Sequence, residues 1–232
     1  MTRQGPTLPQ VEIAPSLMCA RLDQLGDEVE LLEAAGADAL HVDIMDGHFV
    51  PNLALSPETI AAIRPRTALP IHAHLMVSDP RPYIARLAAA GAELAFFHVE
   101  AVTDASAMAD EVSRSGMEPG LAISPRTSLP ADPAVLAMPS FLVMAVEPGF
   151  TGQAWISSSV DRVRALRALV GADASIWVDG GINGMTGAAL RQAGADGFVG
   201  GSSSVFSAGA DGYRGETEAL RRALDMQEVA SA

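Results

Sequence analysis

Eight short runs of β-branched and other apolar residues alternate with longer segments rich in alanine, leucine and arginine along this chain of 232 residues. The runs are residues 11–16, 39–43, 69–75, 94–98, 118–123, 141–146, 175–179 and 197–200. Strands that alternate with helices form a parallel sheet, and eight strand–helix units close into a barrel of about 250 residues. The pattern therefore predicts an α/β fold in which residues 1–232 form a single (β/α)8 TIM barrel, with an open doubly wound sheet as the alternative.

The segments between these runs carry apolar residues at helical spacing. Two of the sets are Leu22, Leu25, Val29 and Leu32, and Val160, Val163, Leu166 and Leu169. The tripeptide Ala-Gly-Ala occurs at 35–37, 90–92 and 193–195, shortly before a predicted strand each time, and it predicts glycine caps at the carboxyl ends of three helices. Pro130, Pro133 and Pro139 disfavour a regular fifth helix.

Composition and charge narrow the class of protein. Hydrophobic residues make up 49% and charged residues 19% of the chain, the balance of an ordinary globular protein. A formal net charge of −13 repels nucleic acid and anionic lipid, so neither is an expected partner. The single cysteine, Cys19, excludes an internal disulfide and fits a reducing cytosol.

No segment of the sequence predicts targeting or membrane insertion. Residues 1–10 hold one arginine and no apolar core, so they do not resemble a signal peptide, and we expect a flexible tail there. The longest apolar stretch, residues 136–146, is too short to span a bilayer and contains Pro139 and Ser140. A cytoplasmic protein without a membrane partner is therefore expected.

Polar residues occur where the predicted strands end, which is where the active site of such a barrel lies. They are Ser16, His41 with Asp43, His74, His98 with Glu100, Glu147 and Asp179. His41 and Asp43 are two residues apart on one strand and so point to the same face, as do His72 and His74. Taken singly, each is more often a core or turn residue. Two histidines and two aspartates around one barrel mouth favour a divalent metal site.

Glycine-rich loops follow the last three predicted strands, at residues 148–153, 179–181 and 200–202. The loops after the seventh and eighth strands form the usual phosphate site of these barrels, because glycine lets backbone N–H groups approach an anion. The acidic chain has no arginine or lysine cluster to replace them, so a phosphate would be held by backbone groups. Methionine usually fills core gaps, but Met45, Met76 and Met144 lie near the same strand ends and can cap a metal site.

Five segments carry a resemblance to a known family. They are IAPSL at 13–17, HVDIMDGHFVPN at 41–52, HLMV at 74–77, VMAVEPGF at 143–150 and VDGG at 178–181. Over nearly its whole length the chain resembles ribulose-phosphate 3-epimerase and its close relatives, among them allulose-6-phosphate 3-epimerase. The resemblance implies a barrel of the ribulose-phosphate-binding type, a sugar-phosphate substrate, one divalent metal cation (Zn, Mn, Fe or Co) and a homo-oligomer.

The resemblance also implies roles for individual residues. The metal ligands would be His41, Asp43, His74 and Asp179, of which Asp43 and Asp179 would also be the two catalytic acid/base groups. Substrate and phosphate would contact Ser16, His74, Gly149, Phe150, Thr151, Gly152, Gly180, Gly181, Gly201 and Ser202, and the site cap would be Met45, Met76 and Met144. Two positions depart from the common pattern: His72 stands where relatives usually carry aspartate, and Thr151 replaces a usual glycine or alanine.

Two aspartates on different strands, with a divalent metal, suit epimerisation at carbon 3 of a 2-ketose. One carboxylate removes the proton, the metal stabilises the 2,3-enediolate, and the second carboxylate returns a proton to the other face. The expected substrates are D-ribulose 5-phosphate and D-xylulose 5-phosphate, as the resemblance of residues 97–101 and 178–181 indicates. Residues 16–19, 53–57 and the serines at 202–204 favour D-allulose 6-phosphate instead.

Two other classes of function are consistent with such a barrel. A phosphate-binding lyase or decarboxylase would typically need a lysine in the site, and no predicted strand end carries one. A non-catalytic sugar-phosphate-binding barrel would not need the complete set of ligand and acid/base positions that this chain holds. The fold by itself distinguishes none of these classes.

Overall fold

The computed structural model describes residues 11–225, so the predicted tail at residues 1–10 lies outside the described part of the chain. Eight parallel strands form one sheet in the order β1-β8-β7-β6-β5-β4-β3-β2. They are β1 (Glu12–Pro15), β2 (Leu40–Met45), β3 (Ile71–Met76), β4 (Leu94–His98), β5 (Glu118–Ile123), β6 (Ser140–Met144), β7 (Ser175–Asp179) and β8 (Gly197–Gly200). A parallel bridge between Ser16 and His41 joins β1 to β2 and completes the ring. The predicted (β/α)8 barrel is therefore confirmed.

A helix follows each strand. The helices are α1 (Leu25–Ala34), α2 (Pro57–Ile63), α3 (Arg81–Ala90), α4 (Ala105–Arg114), α5 (Pro133–Leu136), α6 (Ser159–Val170), α7 (Gly184–Ala193) and α8 (Tyr213–Asp225). The three Ala-Gly-Ala glycines end α1, α3 and α7 as predicted, because Gly36, Gly91 and Gly194 adopt φ values of 88°, 92° and 111° that only glycine tolerates well. The proline-rich fifth helix has only four residues.

Two apolar residues assigned to helix faces lie elsewhere. Leu22 belongs to a short 3₁₀ turn before α1 and is 61% exposed. Leu169 is 51% exposed, because the buried face of α6 runs through Val163 and Leu166 and continues at Val170, one position further on. These two predictions were wrong, while the predicted strand bounds agree within two residues. From residue 11 to residue 225, none of the helices has the length and apolar character needed to cross a bilayer.

Two apolar layers hold the barrel together. The larger layer lies between the strands and the surrounding helices and includes Ile13, Val42, Leu75 and Leu121. The smaller one fills the barrel interior and consists of Ala14, Ala39, Leu94, Phe96, Ala122, Leu142, Met144, Trp177 and Val199. Since side chains alternate along a strand, β1 and β4 to β8 contribute to both layers, whereas β2 and β3 contribute only to the outer one. Polar side chains are thereby left to the carboxyl end of the barrel, where the strands open into loops.

Two glycines make room for the aromatic rings inside the barrel. A Cβ atom at Gly120 would lie 2.3 Å from a ring carbon of Phe96, and one at Gly197 would lie 2.3 Å from a ring carbon of Trp177. Both distances are far below a van der Waals contact. The rings therefore fill the barrel only because the neighbouring strands carry no side chain at these points.

Gly197→Ala is expected to lower the free energy of unfolding by about 1–3 kcal/mol, because Trp177 has to move within a filled barrel. Gly215→Ala is the control, since Gly215 lies exposed in the first turn of α8 with no atom within 4 Å of an added Cβ. Urea unfolding followed by far-ultraviolet circular dichroism gives both values. A control that loses as much stability as Gly197→Ala would contradict the packing argument.

Candidate functional site

Four side chains predicted as metal ligands come from three strands. His41 and Asp43 lie on β2, His74 lies on β3, and Asp179 is the last residue of β7. Asp43 and His74 are direct neighbours in the register of the sheet. The two histidines and Asp43 are buried, and Asp179 is partly buried at the mouth of the barrel. Alternation along the strands directs all four into the barrel, as expected.

The four side chains converge on one point. The facing atoms are His41 Nε2, Asp43 Oδ1, His74 Nδ1 and Asp179 Oδ2, and one ligand atom from each residue lies within 4.8 Å of the others. His74 Nδ1 is 3.0 Å from Asp43 Oδ1, 3.3 Å from His41 Nε2 and 3.8 Å from Asp179 Oδ2. Ligand atoms about 2.0–2.1 Å from a tetrahedral zinc ion are about 3.3 Å apart. The donor set and its spacing therefore fit one divalent cation.

The two carboxylates of this cluster have opposite electrostatic environments. Burial, followed by the charge of Asp43, raises the pKa of Asp179 well above its usual range. Burial also acts to raise the pKa of Asp43, but the charge of His41 and hydrogen bonds with His41 and His74 outweigh it and lower that pKa. Two carboxyl groups whose pKa values are pushed apart are typical of an acid/base pair. A cation would also relieve the repulsion between them.

Ser16 and three methionines lie next to the cluster. Ser16 Oγ donates a 2.7 Å hydrogen bond to Asp43 Oδ2, which leaves Oδ1 to face the histidines. Met45, Met76 and Met144 are buried and line the cavity above the cluster. The three thioethers thus form an apolar wall around the cluster.

Of the other polar residues at the strand ends, His98 and Glu100 do not reach the cavity, whereas Glu147 does. His98 and Glu100 lie behind His74, where His98 Nε2 is 2.9 Å from His74 Nε2. Glu147 lines the outer rim, and its half-exposed carboxylate pairs with Arg126. The prediction that all these groups surround one site therefore holds for only part of the set.

His72 faces the barrel interior, as predicted, but lies deeper than the cluster. Its ring packs edge-on against Trp177, with 4.7 Å between ring centroids, and also against Phe96. Burial, followed by the charge of His41, lowers the pKa of His72 to about 3. Among residues 11–225 its Nδ1 has no hydrogen-bond partner. His72 is thus a neutral core residue below the cluster.

An open-mouthed cavity of about 570 Å³ lies above the four side chains. Every predicted phosphate-loop residue lines it, namely Gly149, Phe150, Thr151, Gly152, Gly180, Gly181, Gly201 and Ser202. Of the residues that the structure describes, no arginine lines the cavity. Any phosphate there would therefore be held by backbone N–H groups and hydroxyls.

Several residues that shape this cavity belong to segments noted in the sequence but were not predicted as site residues. Met18 and Ser203 line it directly. Gln153 donates from Nε2 to the backbone carbonyls of Glu147 and Phe150, which fixes the loop after β6. Asn52 donates 2.7 Å to the carbonyl of Gly149 and so ties the loop after β2 to the same loop. Amide side chains in loops give no periodic signal in a sequence, so only the folded loops reveal these contacts.

A model of the ribulose-phosphate 3-epimerase family matches residues 12–206, a span that contains every residue of the cluster and of the cavity. The chain belongs to the ribulose-phosphate 3-epimerase family. Members of this family are isomerases that act on carbohydrate phosphates. The predicted resemblance is thereby confirmed, and the candidate site lies where the fold places the active sites of such barrels.

Relatives named ribulose-phosphate 3-epimerase match most of the chain. One from Rhodobacter capsulatus is 41% identical over 201 residues, which cover 86% of this chain and 87% of the relative. One from Bacillus subtilis is 36% identical over 197 residues, which cover 83% and 91%.

Solved structures of more distant proteins share the fold. The 3-keto-L-gulonate-6-phosphate decarboxylase from Vibrio cholerae has a TM-score of 0.67 at 13% identity and covers 95% of this chain and 99% of that one. The tryptophan synthase from Mycobacterium tuberculosis has a TM-score of 0.64 at 15% identity, with 93% of each chain covered. At such low identity the likeness shows the barrel alone.

Proposed function

We propose that this protein is a metal-dependent epimerase that interconverts D-ribulose 5-phosphate and D-xylulose 5-phosphate. The observation that carries the proposal is the convergence of His41, Asp43, His74 and Asp179 below a cavity lined by glycine-rich loops. These four side chains would hold the divalent cation. When bound, the cation supplies Lewis-acid stabilisation of the negative charge that develops on O2 and O3 of the ketose.

Asp43 and Asp179 are the catalytic acid and base of this proposal. They come from β2 and β7, which are separated by β1 and β8 in the ring, so their carboxyl groups can flank a substrate that lies between them. The two carboxyl groups have unequal surroundings, since Asp43 accepts a hydrogen bond from Ser16 and faces both histidines, whereas Asp179 is partly exposed at the cavity. This difference suits one to donate a proton while the other accepts one. Epimerisation needs this combination, because a proton leaves one face of C3 and another arrives at the opposite face.

Ser16 supports the proposed role of Asp43. Its hydroxyl donates to Oδ2, so Asp43 keeps one orientation and presents Oδ1 toward the cluster. Met45, Met76 and Met144 exclude water from the same region, which strengthens the electrostatic interactions among the charged groups.

The phosphate of the substrate is proposed to bind the backbone of the loops after β6, β7 and β8. Gly180 and Gly181 have φ values of 110° and 64°, and an added Cβ at Gly180 would lie 2.5 Å from Val146. A side chain at Gly180 would therefore disturb the fold before it affected a ligand. Gly201 differs, because an added Cβ there meets only Cys19 Sγ, at 3.8 Å.

Gly201→Val is therefore the informative test of the phosphate site. It is expected to raise KM for D-ribulose 5-phosphate by ~10-fold or more, because the valine side chain enters the space next to the backbone N–H groups that are proposed to bind the phosphate. A ~10-fold change corresponds to a loss of ~1.4 kcal/mol of binding free energy. The melting temperature serves as the control and is expected to change little. A variant with wild-type KM and wild-type stability would place the phosphate elsewhere.

The sequence argues against a lyase that works through a lysine Schiff base. All 15 of its basic residues other than histidine are arginines, so the chain contains no lysine. A covalent imine between a lysine side chain and a ketose phosphate therefore cannot form in this protein. A purely binding role is disfavoured by the complete cluster, since holding a sugar phosphate does not need two carboxylates at the base of the cavity.

The second candidate substrate is D-allulose 6-phosphate. Ser16, Met18, Cys19, Ser202 and Ser203, which belong to segments that favour the six-carbon sugar, all line the cavity. Residues 97–101, which favour the five-carbon sugar, do not line the cavity, so their resemblance no longer supports D-ribulose 5-phosphate as the substrate. The preference for D-ribulose 5-phosphate now depends on residues 179–181, which line the cavity, and on the names of the relatives that are 36–41% identical.

The ratio of kcat/KM for the two sugars, measured side by side with metal-loaded protein, tests the proposed function. We expect D-ribulose 5-phosphate to be the better substrate. Pockets discriminate a single carbon by only ~10–200-fold, so turnover of both sugars is compatible with the proposal. A preference for D-allulose 6-phosphate beyond that range would reverse the assignment, and absence of turnover with both would remove it.

A further inference from the structure

His74 has polar partners on both ring nitrogens. Nδ1 faces the cluster, 3.0 Å from Asp43 Oδ1. Nε2 points the other way, 2.9 Å from Nε2 of the fully buried His98. The second nitrogen of His98, Nδ1, lies 3.1 Å from Glu100 Oε2. A continuous row of hydrogen bonds therefore runs from the cluster to Glu100, outside the substrate cavity.

Glu100 is held in place at both carboxylate oxygens. Oε1 accepts a 2.9 Å hydrogen bond from the backbone N–H of Ser124, which follows β5, and Oε2 faces His98. Burial acts to raise the pKa of Glu100, but hydrogen bonds with His98 and Thr127 outweigh it and lower the pKa to about 2. Ionised Glu100 has no proton to donate, so it can only accept hydrogen bonds.

The carboxylate of Glu100 determines where the protons of this row lie. Because Glu100 only accepts, Nδ1 of His98 must carry the hydrogen, and neutral His98 then has a lone pair at Nε2. Two nitrogens 2.9 Å apart need one hydrogen between them, so Nε2 of His74 is the donor. With a cation held at the cluster, Asp43 Oδ1 no longer takes a hydrogen from His74 Nδ1, which lies 3.0 Å away. Neutral His74 with its hydrogen on Nε2 then has its lone pair on Nδ1, the atom that faces the cluster.

We propose that Glu100 and His98 are positioning residues that keep His74 in the tautomer and orientation in which Nδ1 can bind the metal. The inference rests on the proposed metal site and extends it by two residues that touch neither the cavity nor the cluster centre. Phe49 covers the pair, with 4.7 Å between its ring centroid and that of His98. Hydrogen-bond acceptors behind a metal-binding histidine commonly fix its ring in this way.

Glu100→Gln separates this role from simple packing. The new carboxamide has the shape of the carboxylate, and the fixed N–H of Ser124 forces its oxygen into the place of Oε1. Its NH₂ group then faces Nδ1 of His98 and donates to it. The whole row is reversed, so that His98 donates to His74 and the hydrogen of His74 moves to Nδ1, where it blocks the metal. An isosteric change is thus expected to act strongly.

The test is the zinc affinity of the purified protein, measured by competition with a chromophoric chelator after the protein has been stripped of metal. Glu100→Gln is expected to bind Zn²⁺ about 10–100-fold more weakly than the unmodified chain. Glu111→Gln is the control for the lost charge, because Glu111 lies on α4 and, within residues 11–225, forms an ion pair with Arg81 alone. The melting temperatures of the metal-free proteins are expected to agree, whereas a purely structural role would lower that of Glu100→Gln.

A second variant tests whether the direction of the hydrogen bonds along Glu100, His98 and His74 is reversed. Adding His98→Gln to Glu100→Gln is expected to recover part of the zinc affinity, because a carboxamide at position 98 can turn its oxygen toward His74 Nε2. If Glu100→Gln does not fold, ¹⁵N NMR of the zinc-loaded natural chain decides instead. The expected spectrum has the hydrogen of His98 on Nδ1 and that of His74 on Nε2.

The outcomes separate this inference from the proposed metal site. Zinc affinity of Glu100→Gln equal to that of the natural chain, or a His98 hydrogen on Nε2 in the NMR spectrum, overturns the positioning role while the metal site stands. A natural chain that binds no zinc and no other divalent cation overturns the metal site and the positioning role together.

Discussion

Asp179→Asn is expected to lower kcat for epimerisation by about 10²–10⁴-fold, because an amide cannot carry the proton that Asp179 is proposed to exchange with C3. Asp179 lies at the end of β7 with Oδ2 3.8 Å from His74 Nδ1, and asparagine fits the same space because it has nearly the shape of aspartate. The fold is expected to survive, and the metal is expected to bind more weakly. Steady-state kinetics together with metal analysis of the variant give both quantities.

Hydrogen exchange makes this prediction more specific. Asp43 is intact in the variant, so the epimer whose C3 hydrogen faces Asp43 is still expected to exchange that hydrogen with solvent without being converted. The other epimer is expected to show no exchange. Asp161→Asn, an exposed change on α6, is the control and should behave as the natural chain. A metal-loaded Asp179→Asn variant with a near-normal rate would show that Asp179 is not the acid/base group.

Asp43→Asn is expected to cause a loss of kcat of similar size, about 10²–10⁴-fold, for the corresponding reason on the other face of the substrate. Its effect on metal binding should be larger than that of Asp179→Asn. Asp43 is the carboxylate that lies close to both histidines, 3.0 Å from His74 and 3.4 Å from His41. In the natural chain the negative charge of Asp43 attracts His41 and would attract a cation at the cluster. Asparagine carries no charge, so the variant loses this attraction.

The exchange pattern of Asp43→Asn should be the reverse of that of Asp179→Asn. The epimer that fails to exchange in one variant is expected to exchange in the other, because each carboxyl group serves one face of C3. Deuterium incorporation at C3, followed by NMR with each epimer separately, tests the pair. Exchange of the same epimer in both variants would contradict a mechanism with one carboxyl group on each face.

The sequence predicted the barrel because its signals are local and repeated. Eight apolar runs, and glycines such as Gly91 and Gly194 before the next strand, specify strand–helix units without knowledge of distant contacts. The errors occurred where spacing alone is ambiguous. Leu169 fits an i, i+3 series, but the face that α6 buries is set by its packing against the sheet.

The candidate site could be predicted in part for the same reason. Strand alternation places His41, Asp43 and His74 inside the barrel, and parallel strands bring their carboxyl ends together. Side chains no longer alternate between two faces once a strand has ended. The sequence therefore could not predict that the side chain of Glu147 points to the cavity rim and that of Glu100 lies behind His74. Those directions depend on tertiary contacts between loops.

The most direct test of the metal-dependent epimerase is the conversion of D-ribulose 5-phosphate in D₂O by metal-loaded and metal-stripped protein, with the product examined by NMR. The account predicts D-xylulose 5-phosphate with deuterium at C3, formed rapidly only by the metal-loaded protein, because the incoming proton comes from a carboxyl group that has exchanged with solvent. Product without deuterium at C3, or equal rates with and without metal, would contradict it.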